Sequence, residues 1–246
     1  MLYSDSTAVA FAHYPKTAGS SLSAWIRAAL PDAREVAPGD PHIAVRDALV
    51  QAGLVSSGAR TGLGRVRFTI ARAATRLLTG RKLLPPVVAT RPGTRIIGVI
   101  REPFEMLVSL YEFWRRHPFP VEPPQPLIRA ARTDTFRAFA ALAVDGRQLP
   151  DYRQFFDVGG LFWPDTRLLD FASLEPALMQ VCDELGISQR PLLKRLNAAP
   201  RTKHCLGAYR AEAGPLVFRI RSYFGWYYDE GVRVMLRGDC AGRTTA

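Results

Sequence analysis

The stretch that decides the fold is residues 8–30, AVAFAHYPKTAGSSLSAWIRAAL. The apolar run Ala8–Ala12 has the length and flanks of an interior parallel strand. The segment Tyr14–Gly19 then carries a proline, a cation, a hydroxyl and a flexible residue within one turn. Apolar residues at helical spacing follow two N-capping serines, and Pro31 ends them. The stretch therefore predicts a strand, a tight turn and a helix.

The turn and the helix start together favour anion binding. The first turn of a helix presents N–H groups without intrahelical acceptors and a partial positive charge. Lys16 adds a full charge, and the hydroxyls of Thr17, Ser20 and Ser21 add donors. The pattern GxxxxGK[ST] is absent and Lys16 precedes Gly19, so the turn is not a Walker A loop. An ordinary strand–helix turn with a surface lysine is the alternative.

Length and composition favour one intracellular α/β domain. A chain of 246 residues that is 48% hydrophobic can bury a sizeable core. No run approaches the roughly 18 apolar residues of a membrane span, and the start of the chain does not resemble a signal peptide. Three widely spaced cysteines, an odd number, fit neither a disulfide framework nor a zinc pattern. We expect a cytoplasmic protein with a single domain over residues 1–246.

The net charge of +11 is unevenly distributed. The stretch from Ala48 to Arg101 contains no acidic residue but ten basic ones: Arg60, Arg65, Arg67, Arg72, Arg76, Arg81, Lys82, Arg91, Arg95 and Arg101. The positive electrostatic potential of such a stretch attracts nucleic acid, acidic lipid, sulfated sugar or nucleotide. A solvent-exposed face of arginines without a ligand is the simpler interpretation. Residues 54–92 are predicted to be an insertion with a basic amphipathic helix, and residues 239–246 a flexible tail.

A second strand–helix unit follows the insertion. Thr94–Ile100 is apolar enough to be a central strand, and Pro103 suits the first turn of the helix after it. Arg101 stands at the carboxyl end of that strand, where open α/β sheets bind ligands. Ser109 lies two helical turns further on.

Two segments resemble the sulfotransferases that use 3′-phosphoadenosine 5′-phosphosulfate (PAPS), in particular their bacterial, carbohydrate-type branch. Residues 15–22, PKTAGSSL, are similar to the 5′-phosphosulfate loop of that family. Residues 100–111, IREPFEMLVSLY, resemble its 3′-phosphate motif: a strand ending in Arg, Pro two residues later, and Ser eight residues after the Arg. Family members often have a second Arg where this chain has Met106. A weaker likeness extends over most of residues 8–230.

The resemblance implies a P-loop-like domain with a central parallel sheet flanked by helices. It implies that PAPS is the co-substrate and that no metal is needed, with Lys16 stabilising the leaving nucleotide. It places the nucleotide on Pro15, Lys16, Thr17, Ala18, Gly19, Ser20, Ser21, Arg101 and Ser109. The acceptor would be a hydroxyl or amine of a carbohydrate, lipid or small molecule.

The acceptor must also lose a proton, and His42 is the first candidate for the base. It lies between the two loops, at a predicted loop-to-helix junction, and an unperturbed histidine has a pKa of about 6.5. A capping or packing role is the alternative. Less favoured candidates are His13, Glu102, Glu105 and His117. Five aromatic residues could line an acceptor pocket or belong to the core: Tyr152, Phe155, Phe156, Phe162 and Trp163.

Two other classes of function remain open at this point. A small-molecule kinase with a degenerate P-loop would need an acidic metal ligand after a strand, for which Asp170 is available. A binding module would use the basic stretch on nucleic acid or on an anionic membrane. We expect no nucleic-acid partner, and at most a weak contact with an anionic membrane surface.

Overall fold

The computed structural model describes residues 1–38, 40, 42–57, 87–89, 93–116, 125–158, 166–191, 193, 205–229 and 232. The chain divides into two compact units. The first comprises Met1–His13, Asp32–Gly98 and Gln154–Arg167, and the second comprises Tyr14–Pro31, Val99–Arg153 and Leu168–Ala246. The prediction of one domain over the whole chain stays a prediction.

The strands β1 (Leu2–Ser4), β2 (Val9–Ala12), β3 (Arg34–Glu35), β6 (Arg95–Ile100) and β7 (Thr166–Asp170) form one sheet. Their order across the sheet is β3-β1-β2-β6-β7. The pair β2 and β6 is parallel, in register from Val9 opposite Arg95 to Ala12 opposite Gly98. The strand β1 is antiparallel to both of its neighbours. The sheet is therefore mixed.

The first unit contains a tight connection between β1 and β2. The carboxylate of Asp32 accepts hydrogen bonds from the Ser4 hydroxyl and from the Ser6 N–H, both at 2.8 Å. The Ser6 N–H bond is the main reason why the pKa of Asp32 is lowered. The same unit contains helix α2 (Val45–Gln51) and an antiparallel pair, β4 (Val55–Ser57) with β5 (Val87–Ala89).

The second unit is mainly helical. Its helices are α1 (Gly19–Ala29), α3 (Pro103–Arg116), α4 (Pro126–Thr133), α5 (Phe136–Val144), α7 (Leu174–Leu185), α8 (Cys205–Ala213) and α9 (Leu216–Tyr223). Helix α6 (Tyr152–Phe156) begins in this unit and ends in the first. Short 3-10 turns span Phe171–Ser173 and Gly225–Tyr228. Edge-to-face ring contacts join the central residue Phe136 to Phe104 and Tyr111, so aromatic packing connects α3 with α5.

The α/β class and both predicted strand–helix units are confirmed. The expectation of a central parallel sheet holds for β2 and β6, but β1 and β3 make the sheet mixed. Strand β1 was not predicted, since its three residues carry no periodic signal.

The residues next to each helix define its boundaries. Helix α5 begins at Phe136, because Thr135 caps it by accepting the Ala138 N–H at 3.3 Å. Helix α9 ends at Tyr223, and a 3-10 turn follows. The first helix begins at Gly19, ahead of the two serines expected to cap it.

Within the described ranges, no helix is both long enough and apolar enough to cross a membrane. The ends of the predicted insertion 54–92 fall on the paired strands β4 and β5. Residues 58–86, which include its basic amphipathic helix, lie outside the described residues, as does the tail 239–246.

Candidate functional site

The turn between β2 and α1 has an unusual backbone. Lys16 and Ala18 both adopt left-handed conformations, with φ of 62° and 64°, although neither is glycine. Left-handed residues alternating with ordinary ones turn successive N–H groups towards one concave side, an arrangement that binds anions. Each such residue costs about 1–2 kcal/mol, and strain of this kind concentrates at functional sites.

The hydroxyl of Thr17 fixes this turn from within. Thr17 is buried, and its Oγ1 donates a hydrogen bond to the carbonyl oxygen of Tyr14 at 2.8 Å. That donor, which we expected to face a ligand, is therefore used to hold the loop in shape. Thr17 can still contribute its backbone N–H to an anion.

Helix α1 begins with Ala18 at its N-cap and Gly19 as its first residue. No side-chain oxygen caps it, so the prediction that Ser20 or Ser21 is the N-cap was wrong. Both serines lie in the first turn of the helix, where N–H groups point along the helix axis. Pro15 is buried. The predicted loop residues 15–21 thus all belong to the turn or to the first helical turn.

The ammonium group of Lys16 lies 4.0 Å from the centre of the Phe113 ring. The side chain is half-buried, and no carboxylate in the described part of the chain forms an ion pair with it. Burial lowers the pKa of Lys16, and the nearby charge of Arg101 lowers that pKa further. Two cations of the second unit therefore lie near enough to repel each other.

Arg101 follows directly on β6, and its neighbours restrain it from several sides. Its guanidinium lies 4.5 Å from the centre of the Phe171 ring, and its Nη2 is 3.4 Å from Glu105 Oε2. The Nε of Arg101 is buried and has no hydrogen-bond partner. Buried polar groups are rarely left unpaired, so this N–H is a free donor for a ligand or a water molecule.

Helix α3 carries a row of residues that connects the two cations. Glu105, Ser109 and Phe113 are spaced by four residues and share one helix face. Glu105 contacts Arg101, Phe113 contacts Lys16, and the half-buried Ser109 stands between them in the row. The structure thus places Ser109 on the helix face whose neighbouring residues contact both cations, and all three residues belong to the second unit.

Met106, where the resembling family often has a second arginine, is completely buried. Met106 is therefore a core residue. Glu102 accepts the Glu105 N–H at 2.8 Å and the Tyr228 hydroxyl at 2.7 Å. The bond from the Glu105 N–H caps the start of α3. Burial raises the pKa of Tyr228, and its hydrogen bond to Glu102 raises that pKa further. Both oxygens of Glu102 are thereby occupied, which weakens it as a candidate base.

His42 belongs to the first unit, three residues before α2, as expected for a loop-to-helix junction. Its Nδ1 lies 3.1 Å from the carbonyl oxygen of His13, and the two imidazole rings are 4.6 Å apart. A carbonyl only accepts, so Nδ1 carries the proton of this bond. In the neutral ring the lone pair is then on Nε2, the form in which histidine acts as a base. His117 lies outside the described residues.

Two other predictions can be compared with the structure. Three of the five aromatic residues that could line an acceptor pocket or belong to the core are buried core residues: Tyr152, Phe155 and Phe156. Phe162 and Trp163 are not among the described residues. Asp170 caps a 3-10 turn by accepting the Ala172 N–H at 3.0 Å.

Sequence reasoning missed three aromatic residues that support the cations: Phe113, Tyr152 and Phe171. Phe113 could have been found, since it is the fourth residue after Ser109 on the same predicted helix face. Nothing in the sequence indicated the other two, because their contacts with Arg101 join segments 51 and 70 residues apart.

No protein-family model, no curated protein and no solved structure matches this chain. Membership of the sulfotransferase family therefore stays a prediction that rests on the two motifs and their residues.

Proposed function

We propose that the protein is a sulfotransferase that moves a sulfuryl group from PAPS to a hydroxyl or amine of a carbohydrate, lipid or small molecule. The observation that carries the proposal is the neighbouring pair Lys16 and Arg101. Burial and the nearby charge of Arg101 disfavour the charged form of Lys16, for which no carboxylate in the described part of the chain compensates. A ligand with negative charge relieves that cost.

The anion-binding groups fall into two sets, which suits a ligand with two separate phosphates. One set is the left-handed turn at Lys16 and Ala18 with the start of α1. The other is Arg101, with its unpaired Nε–H, and Ser109 on α3. A guanidinium and a hydroxyl together suit a terminal phosphate. PAPS carries a phosphosulfate at its 5′ position and a phosphate at its 3′ position, so its two ends match the two sets.

The chain's own groups supply the chemistry of an in-line transfer. The bond between sulfur and the bridging oxygen breaks, and a bond forms between sulfur and the acceptor oxygen or nitrogen. Negative charge develops on the 5′-phosphate of the leaving nucleotide, where Lys16 and the N–H groups of the turn stabilise it. The acceptor proton passes to a base, for which we propose Nε2 of His42. The products are a sulfate ester or sulfamate and 3′,5′-adenosine bisphosphate (PAP).

A kinase with a degenerate P-loop and a basic binding module remain the competing functions. A kinase would bind ATP with magnesium more tightly than PAP. A basic module would bind an oligonucleotide or an anionic vesicle, with an affinity that falls steeply with salt. Neither function requires a site for a 3′-phosphate.

The test is a thermal-shift titration of the protein with PAP, with ATP and magnesium, and with a single-stranded oligonucleotide. We expect PAP to raise the melting temperature at micromolar concentrations and the other two ligands to have little effect. Lys16→Ala and Arg101→Ala should each abolish the PAP shift. The control Arg129→Ala removes an exposed arginine of α4 and should keep it. A full PAP shift in both site variants would rule out the proposed site.

A further inference from the structure

We infer that Tyr152 is a positioning residue for Arg101 and links the two anion-binding segments. This inference rests on the proposed function, since it explains how one buried side chain sets the distance between the two sites. It concerns the second unit alone, to which Tyr152, Arg101 and the loop of Lys16 all belong.

The hydroxyl of Tyr152 holds both backbone groups of Arg101. It donates a hydrogen bond to the Arg101 carbonyl oxygen at 2.7 Å and accepts the Arg101 N–H at 3.3 Å. Arg101 is the first residue after β6, so these bonds occupy the groups that a neighbouring strand would otherwise pair. One hydroxyl therefore ends the strand and fixes the direction in which the arginine side chain leaves the backbone.

The ring of Tyr152 contacts the other segment. It packs edge-to-face against Tyr14, with ring centres 4.5 Å apart. Tyr14 begins the anion-binding turn, and its carbonyl oxygen accepts the Thr17 hydroxyl that holds the turn in shape. The connection thus runs from the Arg101 backbone, through the Tyr152 side chain, to the residue on which the turn is built.

Both tyrosines are rigidly held. Tyr14 and Tyr152 are almost completely buried, and burial raises the pKa of each phenol well above its usual value. The Tyr14 hydroxyl donates to the Pro150 carbonyl oxygen at 2.6 Å, two residues before Tyr152. The two hydroxyls therefore have different tasks: one anchors the chain around residue 150, and the other holds Arg101.

This difference supplies a matched pair of variants. Tyr152→Phe removes the hydroxyl that holds Arg101 but keeps the ring against Tyr14. Tyr14→Phe removes an equally buried hydroxyl, the one that donates to the Pro150 carbonyl oxygen. Tyr152→Phe loses the two hydrogen bonds to the Arg101 backbone, and Tyr14→Phe loses the one to Pro150. Each variant removes one buried phenol hydroxyl, so a general loss of stability should be of the same order in both.

The experiment compares the affinities of PAP and 5′-AMP, which lacks the 3′-phosphate, by isothermal titration calorimetry. We expect Tyr152→Phe to lower the PAP-to-AMP affinity ratio by roughly three- to tenfold, the equivalent of one weakened hydrogen bond to the phosphate. Tyr14→Phe should leave the ratio unchanged. An unchanged ratio in Tyr152→Phe, or an equal fall in both variants, would overturn the inference.

Two further results keep the test decisive. If the unaltered protein does not bind PAP, the proposed function is wrong, and so is the role of Tyr152 in that function. If the protein binds PAP but Tyr152→Phe leaves the PAP-to-AMP affinity ratio unchanged, only the role of Tyr152 is wrong. Should Tyr152→Phe not fold, hydrogen exchange of the Arg101 amide in the unaltered protein replaces it. Protection of that amide supports the inference, and rapid exchange contradicts it.

Discussion

The Lys16 ammonium group lies 4.0 Å from the centre of the Phe113 ring, so an aromatic face holds the cation of the anion-binding turn. A cation above a ring gains about 0.5–2 kcal/mol, depending on how far it is desolvated. The ring carries no charge of its own and leaves the charge of Lys16 uncompensated. Phe113 therefore orients Lys16 without neutralising it, which is what an anion site requires.

Replacing Phe113 by leucine should weaken PAP binding by roughly three- to tenfold, the equivalent of one lost cation–π contact. The cause is that Lys16, a flexible side chain, must then be ordered by the ligand itself. Phe113→Tyr keeps the ring face and serves as the control, with an expected affinity close to that of the unaltered protein. Calorimetric titration with PAP measures both. Equal affinities in the leucine and tyrosine variants would show that the ring does not orient Lys16.

The ionisation of Lys16 should make the stability of the ligand-free protein depend on pH. Its pKa is lowered in the folded protein by burial and by Arg101, so the unfolded chain keeps this proton to higher pH. Between the lowered pKa and the ordinary lysine value of about 10.4, the unfolded chain binds more protons. The free energy of unfolding should therefore rise with pH across that window on account of Lys16.

The comparison with Lys16→Met isolates this contribution, because the other titrating groups are shared by both proteins. Urea unfolding between pH 7 and pH 10 should show the difference between the two proteins shifting in favour of the unaltered protein as pH rises. PAP binding should weaken over the same window, since a bound anion favours the charged lysine. Parallel stability curves for the two proteins would mean that Lys16 keeps its ordinary pKa.

His42→Ala should lower the rate of transfer by about 10²–10⁴-fold, the usual contribution of a positioned base. PAP affinity should stay nearly the same, because the nucleotide-binding groups lie in other segments of the chain. PAPS consumption with a panel of sugar and phenol acceptors measures the first quantity, and thermal shift with PAP measures the second. The control Asp47→Ala changes an exposed residue of α2 and should leave both unchanged. Undiminished turnover in His42→Ala would assign the base to another residue.

The parts of the fold that could be predicted from sequence are those with local signals. Two strands were predicted correctly from apolar runs, one before Tyr14 and one before Arg101. Such runs are typical of central strands, which are buried on both faces. The antiparallel strand β1 escaped prediction, since its partners and the Asp32 carboxylate that holds its turn lie elsewhere in the chain. Pairing between strands that are distant in the chain leaves no local pattern in the sequence.

The candidate site shows the same division. The residue types at Lys16, Arg101 and Ser109 could be read directly, and the structure places all three in one unit. The contacts of Tyr152 and Phe171 with Arg101 could not be predicted from the sequence, because these residues come near Arg101 only when the chain is folded. The N-cap of α1 was predicted wrongly for a different reason: the left-handed turn replaces the usual serine cap.

That left-handed turn leads to a prediction about stability. Ala18 has φ of 64° and ψ of 15°, a conformation that costs an L-residue about 1–2 kcal/mol but costs glycine little. Glycine at this position would relieve that strain, but its greater freedom in the unfolded chain offsets part of the gain. Ala18→Gly should therefore stabilise the protein by roughly 0.5–1 kcal/mol. For a chain of this size, that raises the melting temperature by about 1–4 °C.

The control Ala24→Gly lies at an exposed position inside α1 and should destabilise the protein by about 1 kcal/mol. Because the backbone N–H groups stay in place, PAP affinity in Ala18→Gly should remain within about twofold. A fall in melting temperature for both variants would contradict the left-handed conformation of residue 18 and with it the proposed anion-binding turn.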